Sequence, residues 1–193
     1  MYVAFSGGKD SAALLDLVIE QKPDTEARML LWPESEVMAD YDRVISAWRD
    51  RGVRVSVLRL SRNSLDESVS DRWQSLAQMA PAGGVFVGLR ADESRHRAIA
   101  LARHGVVHRY VSGPLAGLVR AAPLAAWQTA DVGAWISTRD LPVLDTYDVL
   151  GISARTSSRI PRGQARDQAM SQMAVARPWA TTALRHIYPD DMI

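Results

Sequence analysis

The chain opens on Tyr2-Val3-Ala4-Phe5, a short strand-forming run. It passes directly through Ser6-Gly7-Gly8-Lys9-Asp10-Ser11 into Leu14, Leu15, Val18 and Ile19 at helical spacing. The same alternation of short apolar strands and amphipathic helices continues through the N-terminal two-thirds, which is the pattern of a parallel sheet covered on both faces. Strands are expected at Tyr2–Phe5, Arg28–Leu31, Val53–Leu58, Val85–Leu89 and Val107–Val111. The expected fold is therefore α/β: a doubly wound, mostly parallel five-stranded sheet with helices on both faces.

The helices between these strands have readable ends. Ser11–Gln21 stops before Pro23, and Met38–Arg51, with Val44, Ile45 and Trp48, stops before Gly52. A third helix is expected near Ser64, where Ser64 and Glu67 have capping-box spacing, and a fourth runs from Ser94 to His104 before Gly105. After Ser112 the rhythm changes, with Pro114, Pro123 and Pro142 as punctuation and Thr129 as the expected cap of a helix through Trp135 and Ile136. That stretch reads as an elaboration on one core. Residues 1–150 form the expected core, and 151–193 an Arg/Ser-rich, irregular or helical extension packed on or covering the site rather than a separate domain.

At 193 residues, 47% of them apolar, the chain is long enough to bury the core of one ordinary domain. It contains no cysteine, which removes disulfides, iron–sulfur clusters, thiolate zinc sites and any cysteine-based redox or sulfur relay carried by this chain. No apolar run approaches the roughly 20 residues of a membrane span, and the start lacks a secretory pattern, so cytoplasmic residence without membrane attachment is expected. The net charge of +1 predicts no particular partner.

The glycine segment carries the chemistry. Placed between a strand and a helix, it offers the free backbone N–H groups of a helix N-terminus to an anion, and its two glycines let the backbone approach phosphate oxygens closely. Ser6 and Ser11 add hydroxyl donors, Lys9 a point charge, and Asp10 a carboxylate suited to a magnesium ion or its waters. It is not a Walker A loop, which would need glycine at Val3 and Ser or Thr at Asp10, and no dinucleotide fingerprint is present. The plain alternative is a strand-to-helix turn capped by Asp10 or Ser6.

Ser-Gly-Gly-Lys-Asp-Ser resembles the SGGxDS loop of the PP-loop (adenine nucleotide alpha hydrolase-like) superfamily, and within it the phosphoadenosine phosphosulfate (PAPS) reductase-like branch. Gly88-Leu89-Arg90-Ala91-Asp92-Glu93-Ser94-Arg95-His96-Arg97 is similar to that branch's Gly-x-Arg-x-x-x-Ser-x-x-Arg element. Pro123-Leu124, Trp127, Asp131-Val132 and then Leu141-Pro142 are similar to its Pro-Leu-x-x-Trp-x-x-x-Asp-Val stretch. The resemblance spans about residues 2 to 150 in order. It implies a ligand at the carboxyl ends of the strands, phosphates on the first loop and anionic groups on the arginines.

Carried over position by position, the resemblance nominates Ser6, Gly7, Gly8, Lys9, Asp10, Ser11, Gly88, Arg90 and Ser94 for binding ATP or PAPS. Lys9, Asp10, Arg90 and Arg97 are nominated for catalysis, with Mg2+ at Asp10. Arg90 closing a strand, and Ser94 and Arg97 in a first helical turn, also suit an anion on physical grounds, the alternative being a simple helix cap with solvated arginines. Trp127 and Trp135 read more simply as core aromatics and Asp131 as a first-turn acid. His104 and His108 lie four apart but across Gly105, so their side chains need not share a face, and His96 reads as a surface residue.

PAPS reductases use a cysteine nucleophile, and serines such as Ser153, Ser157 and Ser158 do not replace a redox thiol. The expected activity is therefore that of an ATP pyrophosphatase or adenylyl transferase, in which ATP is cleaved to AMP and pyrophosphate with adenylylation of an unknown acceptor. The alternatives are a PAPS- or adenylyl-sulfate-binding protein using a thiol in trans, or a non-catalytic nucleotide-binding subunit. A nucleic acid or a sulfur-transfer protein is the candidate partner, the former suggested by Arg155, Arg159, Arg162 and Arg166, and a homodimer is an admissible assembly.

Overall fold

Alternation along the central strands sorts side chains onto two faces. In β1 (Tyr2–Ala4), Val3 and the following Phe5 enter one buried cluster while Tyr2 and Ala4 enter another. β2 (Glu26–Leu31) repeats this: Ala27, Met29 and Leu31 face the first cluster and Leu30 the second. A strand buried on both faces has to lie inside a sheet covered on both sides.

The computed structural model describes residues 1–31, 40–60, 75, 83–113, 115–154 and 175. Besides β1 and β2 these include β3 (Val55–Arg59), β4 (Gly84–Phe86), β5 (Val107–Arg109) and β6 (Val119–Ala121). The helices are α1 (Lys9–Gln21), α2 (Tyr41–Asp50), α3 (Arg95–His104), α4 (Thr129–Arg139) and the short α5 (Thr146–Leu150), with a single 3₁₀ turn at Ala91–Glu93. The strands form one sheet in the order β3-β2-β1-β4-β6-β5, parallel throughout except for the antiparallel β5–β6 pair at one edge.

The expected α/β, mostly parallel sheet is present, with six strands rather than five. The extra strand, β6, falls after Ser112, so that stretch is not only an elaboration: it returns to the sheet and inserts between β4 and β5. Only three residues long and set among Gly117, Ala122 and Pro123, it offers too little sequence for a period-2 signal. The start of the helix expected from near Ser64, with its Ser64–Glu67 capping pair, and the Arg-rich stretch from Arg155 to Arg166 lie outside the described residues.

On one face α1, α2, α4 and α5 pack Leu14, Leu15, Val44, Trp48, Val132, Ile136 and Tyr147 into the larger cluster. α3 covers part of the other face through Leu101. Trp127 and Trp135 pack against the larger cluster with ring centroids 5.3 Å apart, and Asp131 accepts a hydrogen bond from the Gln128 N–H at 2.8 Å. That confirms the structural reading of this stretch, with the cap one residue before Thr129. Among the described residues, no helix is long and apolar enough to cross a membrane.

β1 and β4 are adjacent although their crossovers run in opposite directions along the sheet, so the carboxyl ends of these two strands form the topological switch point. The sheet is tightly closed on the far side of β4, where a Cβ at Gly84 would lie 2.7 Å from the Val119 carbonyl oxygen. Gly84→Ala is expected to push β4 from β6 and destabilise the fold by about 1–3 kcal/mol. Urea unfolding checks this; an unchanged midpoint would mean that the two strands are free to separate.

Candidate functional site

Two loops leave the sheet at the switch point: Ser6–Gly8 after β1, and Val87–Arg90 after β4. The first turns sharply, Gly7 holding a φ of +73° that L side chains rarely adopt, and Gly8 then caps α1 in an extended conformation. No side chain caps α1. The turn is instead held from within: the Ser11 hydroxyl donates to the Gly8 carbonyl at 2.8 Å and accepts from the Ser6 N–H at 3.1 Å, with the Ser6 hydroxyl also 3.1 Å away. This leaves the start of α1 directed at the crevice with its backbone donors as the main anion-binding resource.

Gly88 explains how closely the second loop can approach. A Cβ there would lie 3.1 Å from the Asp10 carbonyl carbon and oxygen, so any larger residue would push the loop off the first turn of α1. This close approach lets Arg90 reach beneath the glycine loop. Its Nε donates to Asp10 Oδ1 at 2.7 Å, Nη1 to Asp92 Oδ2 at 3.1 Å and to the Trp127 carbonyl at 3.2 Å, and Nη2 to Thr129 Oγ1 at 3.3 Å. The residue is only 1% exposed. Arg90, nominated as a catalytic and nucleotide-contacting residue, is thus a buried tie between α1, the 3₁₀ turn and the start of α4.

Asp92 completes the tie by accepting from both the Thr129 hydroxyl and the Thr129 N–H at 3.0 Å. These two bonds, followed by Arg90, hold its carboxyl below the ordinary aspartate range. Whatever stability Asp92 contributes is therefore present above the unfolded-state pKa and lost as the pH falls through the lowered one.

Lys9 is also less exposed than a loop lysine should be, at 5%. Its ammonium donates to the Ala154 carbonyl at 2.9 Å, faces Asp10 Oδ2 at 3.5 Å and lies 5.4 Å from the centre of the Tyr147 ring. The Tyr147 hydroxyl accepts the Lys9 backbone N–H at 3.2 Å, and the Leu144 N–H donates to the Gly7 carbonyl at 3.3 Å. The segment from Leu144 to Ala154 therefore forms one wall of the loop. Sequence reasoning did not find it, because a backbone carbonyl acceptor leaves no residue-type signal.

Asp10 lies between two cations, one facing each oxygen. Among the described residues no group of three His, Cys, Asp or Glu side chains could hold a metal ion, so a magnesium ion at Asp10 would take its remaining ligands from nucleotide phosphates and water. In this arrangement Asp10 is the counter-charge to Lys9 and Arg90. Ser94 caps α3, accepting the Arg97 N–H at 3.3 Å, while the Arg97 side chain, 43% exposed, pairs with Glu93. Arg97 thus stays on the surface beside the crevice.

His104 and His108, which on sequence need not share a face, meet with ring centroids 4.8 Å apart, because the chain reverses at Gly105 and β5 brings His108 back beside α3.

The difference between the two arginines is measurable. Arg90→Ala leaves Asp10 and Asp92 without their buried cation and is expected to destabilise the fold by about 3–5 kcal/mol, whereas Arg97→Ala, at an exposed pair, should cost less than about 1 kcal/mol. Equal losses in chemical denaturation would contradict the burial difference.

The profile of the phosphoadenosine phosphosulfate reductase domain matches residues 1–150. No curated protein sequence matches the chain. Among solved structures, the chain is similar to a PAPS reductase from Candida auris determined as a phosphate complex, with 17% identity over 77% of each chain and a TM-score of 0.50. It is also similar to FMN adenylyltransferase from Candida glabrata in complex with FAD and inorganic pyrophosphate, with 13% identity over 89% of this chain and a TM-score of 0.57. Because this chain spans 64% of that enzyme's length, the likeness is one of fold. The match over residues 1–150, on a sheet whose glycine loop sits at its switch point, makes the chain a member of the phosphoadenosine phosphosulfate reductase domain family.

Proposed function

We propose that the chain binds an adenine nucleotide with its phosphates on the Ser6–Ser11 loop and transfers the adenylyl group to an acceptor, releasing pyrophosphate. The observation that carries this reading is the start of α1: a helix N-terminus without a side-chain cap, opened by two glycines and placed at the switch point between β1 and β4. Ser6, Gly7, Gly8, Lys9 and Ser11 would line the phosphates. Gly88 and Asp10 hold the two loops together beneath them.

In this reaction an acceptor oxygen attacks the α-phosphorus, the bond from that phosphorus to the bridging oxygen breaks, and pyrophosphate leaves with the electron pair. The step needs positioning and charge stabilisation rather than a covalent enzyme intermediate, which suits a chain with no cysteine. An acceptor that is already anionic, such as sulfate or a carboxylate, would need no general base. Lys9 would contribute a donor left over from its bond to Ala154, since an ammonium has three. Arg97, on the rim, is the arginine able to approach the ligand, while Arg90 supports the loop from below.

Family membership supports nucleotide binding, and the FMN adenylyltransferase neighbour carries out adenylyl transfer on a similar fold. The C-terminal extension and its arginines enter this reading as a cover for the site or a contact to a nucleic-acid acceptor.

Incubation of the protein with labelled ATP and a panel of acceptors, including sulfate and nucleic acid, should yield pyrophosphate together with the adenylylated acceptor, or with AMP where water discharges the adenylate. Lys9→Ala should weaken nucleotide affinity more than about tenfold, as loss of a charge-assisted contact of about 1.5–3 kcal/mol does. ADP and phosphate as products would contradict adenylyl transfer. Tight PAPS binding without ATP cleavage would shift the assignment to a sulfonucleotide-binding protein that works with a thiol in trans, and nucleotide binding without turnover to a non-catalytic subunit.

A further inference from the structure

The segment that follows α4 does more than border the glycine loop. The start of any helix leaves backbone N–H groups without an intrahelical acceptor, and in α1 these are the groups that phosphates on the loop would use. One of them, the N–H of Lys9, is already held by the Tyr147 hydroxyl at 3.2 Å. The Lys9 ammonium is likewise held, by the Ala154 carbonyl at 2.9 Å, with Asp10 Oδ2 3.5 Å away. A hydroxyl oxygen and a carbonyl oxygen thus stand on the two kinds of donor that Lys9 offers, where oxygens of a phosphate would otherwise stand.

The bonding of this segment divides into a fixed end and a self-contained remainder. The fixed end lies on α2: Trp48 Nε1 donates to the Pro142 carbonyl at 3.0 Å, Arg43 Nη2 donates to the Val143 carbonyl at 2.7 Å, and Asp40 Oδ1 accepts the Asp145 N–H at 3.0 Å. Beyond it the backbone bonds locally. The Tyr147 N–H donates to Leu144, Asp148 to Asp145, Gly151 to Tyr147 and Ala154 to Gly151, at 2.9 to 3.2 Å. Gly151 ends α5 with a φ of +77°, and Val149, Gly151 and Ser153 are exposed. On the inner side Ile152 rests on Gly133 of α4, where a Cβ would lie 3.4 Å from it, so α4 brings no side chain there to lock it. A phosphate oxygen is an ionised acceptor, and hydrogen bonds to an ionised group are roughly twice as strong as neutral ones. It can therefore displace a phenol oxygen from the Lys9 N–H, and it brings a full opposite charge to the ammonium.

On the phosphate reading of the Ser6–Ser11 loop, on which this rests, we infer that residues 144–154 form an autoinhibitory strap: Tyr147 and Ala154 hold the donors of Lys9 until the phosphates of a nucleotide displace them. The affinity observed for a nucleotide is then its affinity for the open loop reduced by the fraction of molecules in which the strap has lifted. A ligand without charge at this point leaves the strap in place.

Calorimetry with ATP and with PAPS on the wild type and Tyr147→Phe tests the strap, together with backbone hydrogen exchange of the wild type with and without nucleotide. Tyr147→Phe keeps the ring in the larger core cluster and removes only the oxygen on Lys9. Whichever nucleotide the wild type binds should therefore bind the variant about fivefold more tightly, as expected when one neutral hydrogen bond no longer competes. In the wild type that nucleotide should slow exchange at residues 8–11 and speed it at the N–H groups of Gly151 and Ala154, whereas a permanent wall would be protected by its ligand. Hydrogen exchange needs no substitution and decides the matter even where the variant does not fold. The strap is overturned if folded Tyr147→Phe binds the nucleotide no more tightly than the wild type, or if exchange at Gly151 and Ala154 slows or stays the same on binding. Failure of the wild type to bind either nucleotide would overturn the loop reading along with the strap, which separates the two failures.

Discussion

A guanidinium that is 1% exposed has to find acceptors for its N–H groups inside the protein, and Arg90 finds them on three segments far apart in sequence: Asp10, Asp92 and the stretch from Trp127 to Thr129. Two carboxylates and a backbone carbonyl are what a buried cation needs before its desolvation is offset. Such a cluster contributes little net stability compared with a well-packed apolar alternative. Its effect is to allow few arrangements of the loops around it. The position of α1 relative to the end of β4, and hence the shape of the crevice, follows from this tie together with the glycine at position 88 that permits the approach.

The electrostatics of the glycine loop follow from the same tie. Lys9 and Arg90 both spend charge on Asp10, so the loop does not present a bare cluster of cations to its ligand. On the proposed reading, its attraction for an anion would come from oriented peptide groups at the start of α1, a source that is fixed in place and costs no reorganisation. The Lys9 ammonium is anchored on Ala154 and set against Tyr147, which makes the segment after α4 part of the site rather than an appendage to it. A nucleotide entering the crevice therefore meets a surface organised by contacts between residues nearly 150 positions apart.

Much of this was legible in the sequence, for physical reasons. Strands buried on both faces advertise themselves as apolar runs, and helices end where Gly52 and Gly105, both with positive φ, release the chain. The glycine loop was visible because each of its residues suits one local conformation or one donor. What escaped was set by long-range packing. β6 is three residues long and exists as a strand because β4 and β5 flank it. Arg90, read from its place at the end of a strand, looked like a residue facing a ligand, and nothing local indicates that Trp127 and Thr129 close over it. Asp10 reads in the sequence as a carboxylate beside a phosphate loop, and only the fold shows that Arg90 and Lys9 are its neighbours.

The absence of cysteine gains its meaning from this geometry. A family named for a reduction is represented here by a chain that supplies no thiol, and what its own residues supply is a cradle: the switch point, the glycine loop and the tie beneath it. A cradle of backbone donors is indifferent to whether the bond broken is sulfur–oxygen or phosphorus–oxygen, because it recognises the charge on a polyphosphate or phosphosulfate and not the chemistry of the leaving group. Breaking a phosphoanhydride asks no more of the protein than alignment of the acceptor and stabilisation of the departing charge. The proposed adenylyl transfer therefore requires no group that this chain lacks, whereas reduction would require a thiol brought by another molecule. On that proposal the glycine loop would set where the nucleotide lies, and the acceptor would set the identity of the reaction.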